Sequence, residues 1–273
     1  MIMRIALLHL FLLLTASLPT LAINPLWVKL DKKVIEEVSA VVKANPATAE
    51  QYFLKPSGTA HHLRRVYNLG FGWKAKETAA YGGYISILAT FYYHNDSLLS
   101  YTVHPELPDE VELRSTYAKW YATSFRVAPT EVLPFYYNKY LLSKPLPTYK
   151  GPYTARIATE AVATYMSPES GLVYGHYGGE ALTMLQNRRC FTTLQDSLSP
   201  EQVLLLMYAI NPASRLTAFE YYLNHKQRFA NHLPIEQWME TVFRELPEIE
   251  SIEGCIGGLY NAREQVASFV KTR

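Results

Sequence analysis

The segment Val203-Leu204-Leu205-Leu206-Met207-Tyr208-Ala209-Ile210 is the most apolar run downstream of the amino terminus, and it predicts the centre of the fold. Before it, Ser199-Pro200-Glu201-Gln202 has a capping serine, a first-turn proline and the spacing of a capping box. Asn211-Pro212 then ends this helix and begins the next. A helix without a polar stripe is buried on all sides, and about a dozen residues are too few to span a bilayer. We therefore expect a central core helix here.

The first 22 residues have the composition of a secretory signal peptide. Arg4 gives a short positive region, residues 5–14 are apolar apart from His9, and Thr20-Leu21-Ala22 offers small residues for cleavage. The apolar run is shorter than the roughly 20 residues that a membrane span needs, so an uncleaved anchor is the weaker alternative. We expect cleavage after Ala22 and a soluble, exported (secreted or periplasmic) protein with no later transmembrane segment.

The charge pattern argues against a nucleic-acid partner. The chain of 273 residues has 26 Lys and Arg against 24 Asp and Glu, a formal net charge of +2. Charges of both signs are scattered, without the basic stripe of a nucleic-acid-binding surface. About 250 residues remain after signal removal, enough for one large domain or two small ones.

The two cysteines, Cys190 and Cys255, are an even pair in a chain predicted to be exported. In an oxidising compartment this favours a disulfide, closing a loop of about 65 residues around the central helix. Two alternatives stay open: a pair of buried free thiols, and a reactive thiol at Cys190, where Arg188 and Arg189 would favour the thiolate.

The front half, residues 23–145, is predicted to be a mixed α/β region. Helical spacing covers residues 26–43, and Asn45-Pro46 begins a second short helix. Alternation of apolar residues over 63–73, 85–93 and 99–103 then predicts a three-stranded antiparallel meander. Its outer face would be aromatic.

The back half, residues 152–273, is predicted to be a helical region closed by the disulfide. Helical patterns follow one another with short connections, which is typical of a multi-helix bundle. Residues 143–152 hold three prolines and a glycine and form the best linker candidate. They either divide two domains or lie in a surface loop of one. The fold class is therefore α+β and predominantly helical.

The best local candidate for a functional site is Tyr174-Gly175-His176-Tyr177-Gly178-Gly179-Glu180. Glycines allow close approach of a ligand, and a following helix start offers free amide groups. His176 can transfer a proton, with Glu180 to assist or orient it, and both are the catalytic candidates. Tyr174 and Tyr177 would line a ligand-binding wall together with them. The alternative is an ordinary structural turn before a helix.

Other signals for chemistry are weaker. His61-His62 does not predict a metal site, because adjacent residues on a strand point to opposite faces. No metal and no cofactor is expected. A glycosidase needs two carboxyl groups close together. The carboxyl candidates are Glu160, Glu169, Glu180 and Asp196.

Three classes of function follow from the sequence. With 21 Tyr, 11 Phe and 4 Trp, the chain is rich in side chains suited to sugars and protein partners. The leading interpretation is a non-enzymatic exported protein that binds a glycan or a protein partner. The second is a hydrolase acting on a cell-envelope or extracellular polymer, and the third is a structural or assembly component.

Overall fold

A computed structural model describes residues 23–55, 61–127, 133–179 and 181–270. The predicted signal peptide, residues 1–22, and Glu180 lie outside these ranges. Within the described ranges, the front half contains four helices and five strands, in the order α1 Pro25–Ala44, α2 Pro46–Leu54, β1 His61–Gly70, β2 Trp73–Tyr81, β3 Ser86–His94, β4 Ser97–Glu106, α3 Val111–Phe125, β5 Phe135–Tyr137 and α4 Lys139–Leu142.

The five strands form one antiparallel sheet in the order β1-β2-β3-β4-β5. The prediction of a three-stranded sheet is therefore wrong. Strand β2 was missed because its sequence, WKAKETAAY, is rich in alanine, lysine and glutamate, which favour helices, and shows no clear alternation. Pairing with β1 and β3 overrides that local preference. Strand β5, the shortest of the five, comprises the three residues Phe135–Tyr137 and pairs with β4.

Helix α1 covers one face of the sheet with its apolar stripe. Its buried residues include Val34, Ile35, Val38 and Val42, at helical spacing. They share one apolar core with α2, α3 and residues of β2, β3 and β4. Both predicted helices at the start of the front half are confirmed. Helix α1 covers Pro25–Ala44, and the Asn45 side chain caps α2, which begins at Pro46.

Asp31 fixes α1 to the connection between β2 and β3. Its carboxylate is fully buried and accepts hydrogen bonds from the backbone N–H groups of Gly83 (2.6 Å), Tyr84 (3.1 Å) and Ile85 (3.3 Å). The hydroxyl of Tyr117, on α3, donates to the other carboxylate oxygen. One side chain thus joins α1, α3 and the β2–β3 turn.

Asp31→Asn is expected to lower the free energy of unfolding by about 1–3 kcal/mol, because the amide replaces one acceptor oxygen by a donor that faces other donors. Urea unfolding monitored by circular dichroism measures the change. Asp96→Asn is the matched control, since Asp96 pairs with Lys74 at the surface and its side chain is 85% exposed. A loss no greater than that of the control would show that Asp31 does not hold the turn.

The back half contains six helices and two hairpins within the described residues: α5 Glu160–Met166, β6 Tyr177–Gly178, β7 Thr183–Met184, α6 Gln186–Thr192, α7 Pro200–Leu206, α8 Pro212–Asn224, α9 His232–Glu245, β8 Glu248–Glu253, β9 Ile256–Asn261 and α10 Ala262–Phe269. The prediction of a wholly helical bundle is wrong, because β6–β7 and β8–β9 interrupt it. The helix expected from residue 180 begins only at Gln186.

The helix buried on all sides is α8 rather than α7. The capping box at Ser199 is confirmed, but α7 ends at Leu206. In α8, every residue from 212 to 222 is buried, including Arg215 and Glu220. The predicted start of this helix at Asn211-Pro212 is confirmed. Its burial was not predicted, because the buried residues include charged and hydroxyl side chains and form no long apolar run.

Arg215 links the sheet to the helical half. Its guanidinium is fully buried and donates hydrogen bonds to the carbonyl oxygens of Leu69 (3.2 Å), Ala209 (2.8 Å) and Ile210 (3.3 Å). It also lies 5.0 Å from the ring centroid of Phe71. No carboxylate pairs with it among the residues that the structure describes, and burial lowers its pKa to about 9.

The predicted linker, residues 143–152, packs against the helical half. The backbone N–H of Leu146 donates to the carbonyl oxygen of Tyr208 (2.7 Å), and the Leu146 side chain is buried. An apolar cluster joins sheet, linker and helical half through Leu69, Trp73, Ala75, Tyr92, Leu142, Leu146 and Ile210. The division into two domains stays a prediction. No helix within the described ranges is long and apolar enough to cross a membrane.

Candidate functional site

The segment around His176 is attached to the β8–β9 hairpin. The backbone N–H of Tyr174 donates to the carbonyl oxygen of Glu250 (2.9 Å), and Ser251 Oγ donates to that of Tyr174 (2.9 Å). Gly178 has no room for a side chain, because a Cβ there would lie 2.6 Å from Ile252. This close packing places His176 beside the buried helix α8.

His176, Arg188, Glu220 and Tyr174 form one polar cluster, called here the His176 cluster. Arg188, on α6, donates to both carboxylate oxygens of Glu220, with Nη1–Oε1 at 3.0 Å and Nη2–Oε2 at 2.5 Å. The Tyr174 hydroxyl donates to Oε2 at 3.2 Å. Nε2 of His176 lies 3.4 Å from Oε1, which is an ion-pair distance rather than an aligned hydrogen bond.

These contacts keep the Glu220 carboxylate charged inside the protein. Burial would raise its pKa, but the contacts with His176 and Arg188 outweigh burial and hold the pKa below its usual value. Burial lowers the pKa of Arg188, and the bonds to Glu220 more than compensate for it. Burial and the neighbouring Glu220 raise the pKa of Tyr174 well above its usual value. The cluster therefore contains a permanent buried ion pair.

The imidazole of His176 lies between this ion pair and solvent. Its ring stacks on Phe269 of α10 at a centroid distance of 4.4 Å. The side chain is 38% exposed, although its Nε2 atom is buried. Within the described residues, no hydrogen bond involves the other ring nitrogen, Nδ1. The ring is thus held from one side and accessible from the other.

His176 lies on the wall of a cavity of about 550 Å³, called here the α6–α8 pocket. The lining combines aromatic, imidazole, amide and hydroxyl groups, and comprises His176, Tyr177, Met184, Arg188, Phe191, Thr192, Gln195, Glu220, Tyr221, Leu223, Asn224, His225 and Gln227. A cavity of this size with a few fixed polar groups is typical of a small-ligand site.

The predicted site residues lie in different environments. His176 and Tyr177 line the pocket, and the Tyr177 ring is 50% exposed. Tyr174 is fully buried and supports Glu220 instead of facing a ligand. Glu180 lies outside the described residues, and its role stays a prediction. Glu220 was not predicted as the partner of His176.

The predicted disulfide between Cys190 and Cys255 is not present, and both are free thiols. Cys190 is half-buried on α6, where it packs against the core of the helical half. Cys255 is exposed in the turn between β8 and β9, an element the sequence analysis did not predict. The even number of cysteines and the expected export, on which the prediction depended, carry no information about whether the two Cβ atoms face each other at the close range that a disulfide needs.

The other predicted carboxyl groups lie outside the α6–α8 pocket. Glu160 and Asp196 are exposed. Glu169 lies against the Tyr136 hydroxyl, and burial raises its pKa to about 7, although Lys139 acts in the opposite direction. His61 and His62 begin β1. Within the described residues, no three potential metal ligands come together.

A second cavity, of about 600 Å³, lies beside Trp238. The Trp238 ring is enclosed between Phe71, at 5.2 Å, and Tyr208, at 4.1 Å, and both pairs are stacked. Its indole N–H donates to the carbonyl oxygen of Met207 (2.9 Å). Since the indole already stacks on two protein rings, it is a poor candidate for a platform on which a sugar would stack.

Comparison of the chain with protein-family models, curated proteins and solved structures found no match. The assignment of a function therefore depends on the geometry of the α6–α8 pocket.

Proposed function

We propose that this protein binds a glycan in the α6–α8 pocket. The observation that carries the proposal is the His176 cluster: a half-exposed imidazole held against a buried carboxylate that Arg188 keeps charged. Burying such a pair costs desolvation energy, and apolar residues of similar volume would often serve stability as well. A costly polar cluster at the wall of a cavity is a typical feature of a functional site.

The chemistry of the pocket supports a polyhydroxylated ligand. Sugars present hydroxyl groups to polar side chains and apolar C–H faces to aromatic rings. The exposed Tyr177 ring offers such a face, and the amides of Gln195 and Gln227 offer donors and acceptors. Export through the predicted signal peptide would bring the pocket into contact with envelope or extracellular glycans.

The aromatic face of the sheet, considered as a binding surface in the sequence analysis, is a weaker candidate. Tyr92 is only 3% exposed, and Tyr84 packs edge-on against Trp27 at 5.2 Å. No exposed strip of aromatic rings results at these positions. This leaves the α6–α8 pocket as the better site for a sugar ring.

The test is a glycan array of plant and bacterial cell-wall oligosaccharides, followed by calorimetric titration of the strongest ligand. Tyr177→Ala is expected to weaken binding about tenfold, which corresponds to about 1.4 kcal/mol. Tyr153→Ala is the matched control, because Tyr153 is exposed to a similar extent (47% against 50%) and does not line the pocket. Absence of any glycan binding, or equal affinity of the wild type and Tyr177→Ala, would contradict the proposal.

A further inference from the structure

Within the described residues, the lining of the α6–α8 pocket does not contain the carboxyl pair that glycosidic cleavage requires. Of the described lining residues, only Glu220 has a carboxyl group. Both oxygens of that group accept hydrogen bonds from Arg188, and Oε2 accepts another from Tyr174. A carboxylate in this environment is available neither as a nucleophile nor as an acid. A reaction carried out by the described residues of the pocket therefore depends on another group.

His176 has the arrangement of a general base. Since the Glu220 carboxylate is a pure acceptor, it favours the imidazole tautomer with the proton on Nε2. The lone pair then resides on Nδ1, for which the described residues provide no hydrogen bond. Stacking on Phe269 and the fixed position of Glu220 restrict rotation of the ring. The imidazole therefore faces the carboxylate through Nε2, which lies 3.4 Å from Oε1, and its basic nitrogen is Nδ1, which Glu220 does not contact.

We infer that His176 is the general base for hydrolysis of an acyl ester on the bound glycan. This inference rests on the proposed function and adds the reaction to it. Nδ1 takes a proton from a water molecule while the water oxygen attacks the ester carbonyl carbon. The tetrahedral oxyanion then collapses, the bond between the carbonyl carbon and the sugar oxygen breaks, and the departing oxygen takes the proton from His176. The products are a carboxylic acid and the free sugar hydroxyl.

The pocket also offers donors for the developing negative charge. Gln195 and Gln227 line it with His176, and side-chain amides are suitable oxyanion donors. Each nitrogen of the Arg188 guanidinium donates one hydrogen bond, to Glu220 or to the Gly175 carbonyl oxygen, and the side chain is only 6% exposed, so Arg188 acts through Glu220 rather than on substrate. Glu220 and Arg188 are positioning residues, and His176 is the catalytic residue.

The experiment measures acetate release by NMR from acetylated xylo-oligosaccharides and acetylated peptidoglycan fragments. The wild type is expected to release acetate from at least one of these acetylated probes. His176→Gln should reduce the rate at least 100-fold, the typical contribution of a general base. His104→Ala is the control, because His104 is exposed on β4 outside the pocket, and it should keep the wild-type rate.

Binding of the deacetylated oligosaccharides, measured in parallel, separates the two proposals. Binding without acetate release from any acetylated probe would overturn the catalytic inference and leave glycan binding intact. Acetate release that His176→Gln does not reduce would also overturn it. Absence of both binding and release would contradict the proposed function and the inference together.

Discussion

Replacement of Glu220 by glutamine is expected to lower the free energy of unfolding by about 3–5 kcal/mol at pH 7. Glutamine has nearly the same shape, but it leaves the Arg188 guanidinium buried without its counter-charge. Arg188 and Glu220 have side-chain exposures of only 6% and 9%, so water cannot compensate for the loss. Urea unfolding of the two proteins gives the difference directly.

Glu240→Gln is the matched control for this prediction. Glu240 also accepts two hydrogen bonds from one arginine, Arg263, but both side chains are more than half exposed. Its replacement is expected to change the free energy of unfolding far less than Glu220→Gln does, because solvent screens an exposed ion pair. Equal losses for the two variants would contradict the structural role given to the buried pair.

Comparison of the wild type with Glu220→Gln also tests how the free energy of unfolding depends on pH. The pKa of Glu220 is lower in the folded protein than in the unfolded chain. Its contribution is therefore present above the unfolded pKa, roughly 4.3, and is lost as the pH falls through the folded pKa. The wild type and Glu220→Gln should differ fully at pH 6–7 and converge under acid conditions. A difference that stays constant down to acid unfolding would contradict the assigned direction.

The second large effect is expected for Arg215→Met, which should cost about 3–5 kcal/mol. Methionine fills part of the volume but donates no hydrogen bond, so the carbonyl oxygens of Leu69, Ala209 and Ile210 lose a buried donor. Each unsatisfied buried group costs about 1–3 kcal/mol. Removal of a buried charge without a carboxylate partner acts in the opposite direction, but three acceptors outweigh it.

Arg114→Met provides the control for this variant. Arg114 is exposed on α3 and comes no closer than 4.0 Å to Asp109, so the ion pair is weak. Thermal and urea unfolding should show almost no change for it. A stability of Arg215→Met equal to or above the wild type would mean that the cost of burying the guanidinium exceeds the value of its bonds.

Local signals in the sequence predicted the helices with clear caps. Asn45 with Pro46, and Ser199 with Gln202, begin helices where expected, because a cap depends only on residues within one turn. Strand β2 and the β8–β9 hairpin were missed, since their stability comes from pairing with partners and not from their own composition.

The site was predictable only in part, for a related reason. His176 and Tyr177 stood out because glycines and aromatic residues surround them in sequence. Glu220 lies 44 positions away, in α8. The polar residues of this helix gave no indication in the sequence that the helix is buried. Arg188, the partner of Glu220, was noticed only as a neighbour of Cys190. Which carboxylate His176 faces depends on contacts between segments that are distant in sequence. No local sequence pattern indicates such contacts.

The measurement that tests the central claim most directly is the tautomer of His176 in a long-range ¹H–¹⁵N spectrum of the histidine side chains. The His176→Gln variant assigns the signal by its absence. We expect the neutral imidazole to hold its proton on Nε2, toward Glu220, and to leave Nδ1 unprotonated on the accessible side. A neutral imidazole with its proton on Nδ1 would contradict the pairing with Glu220, and with it the account of the α6–α8 pocket.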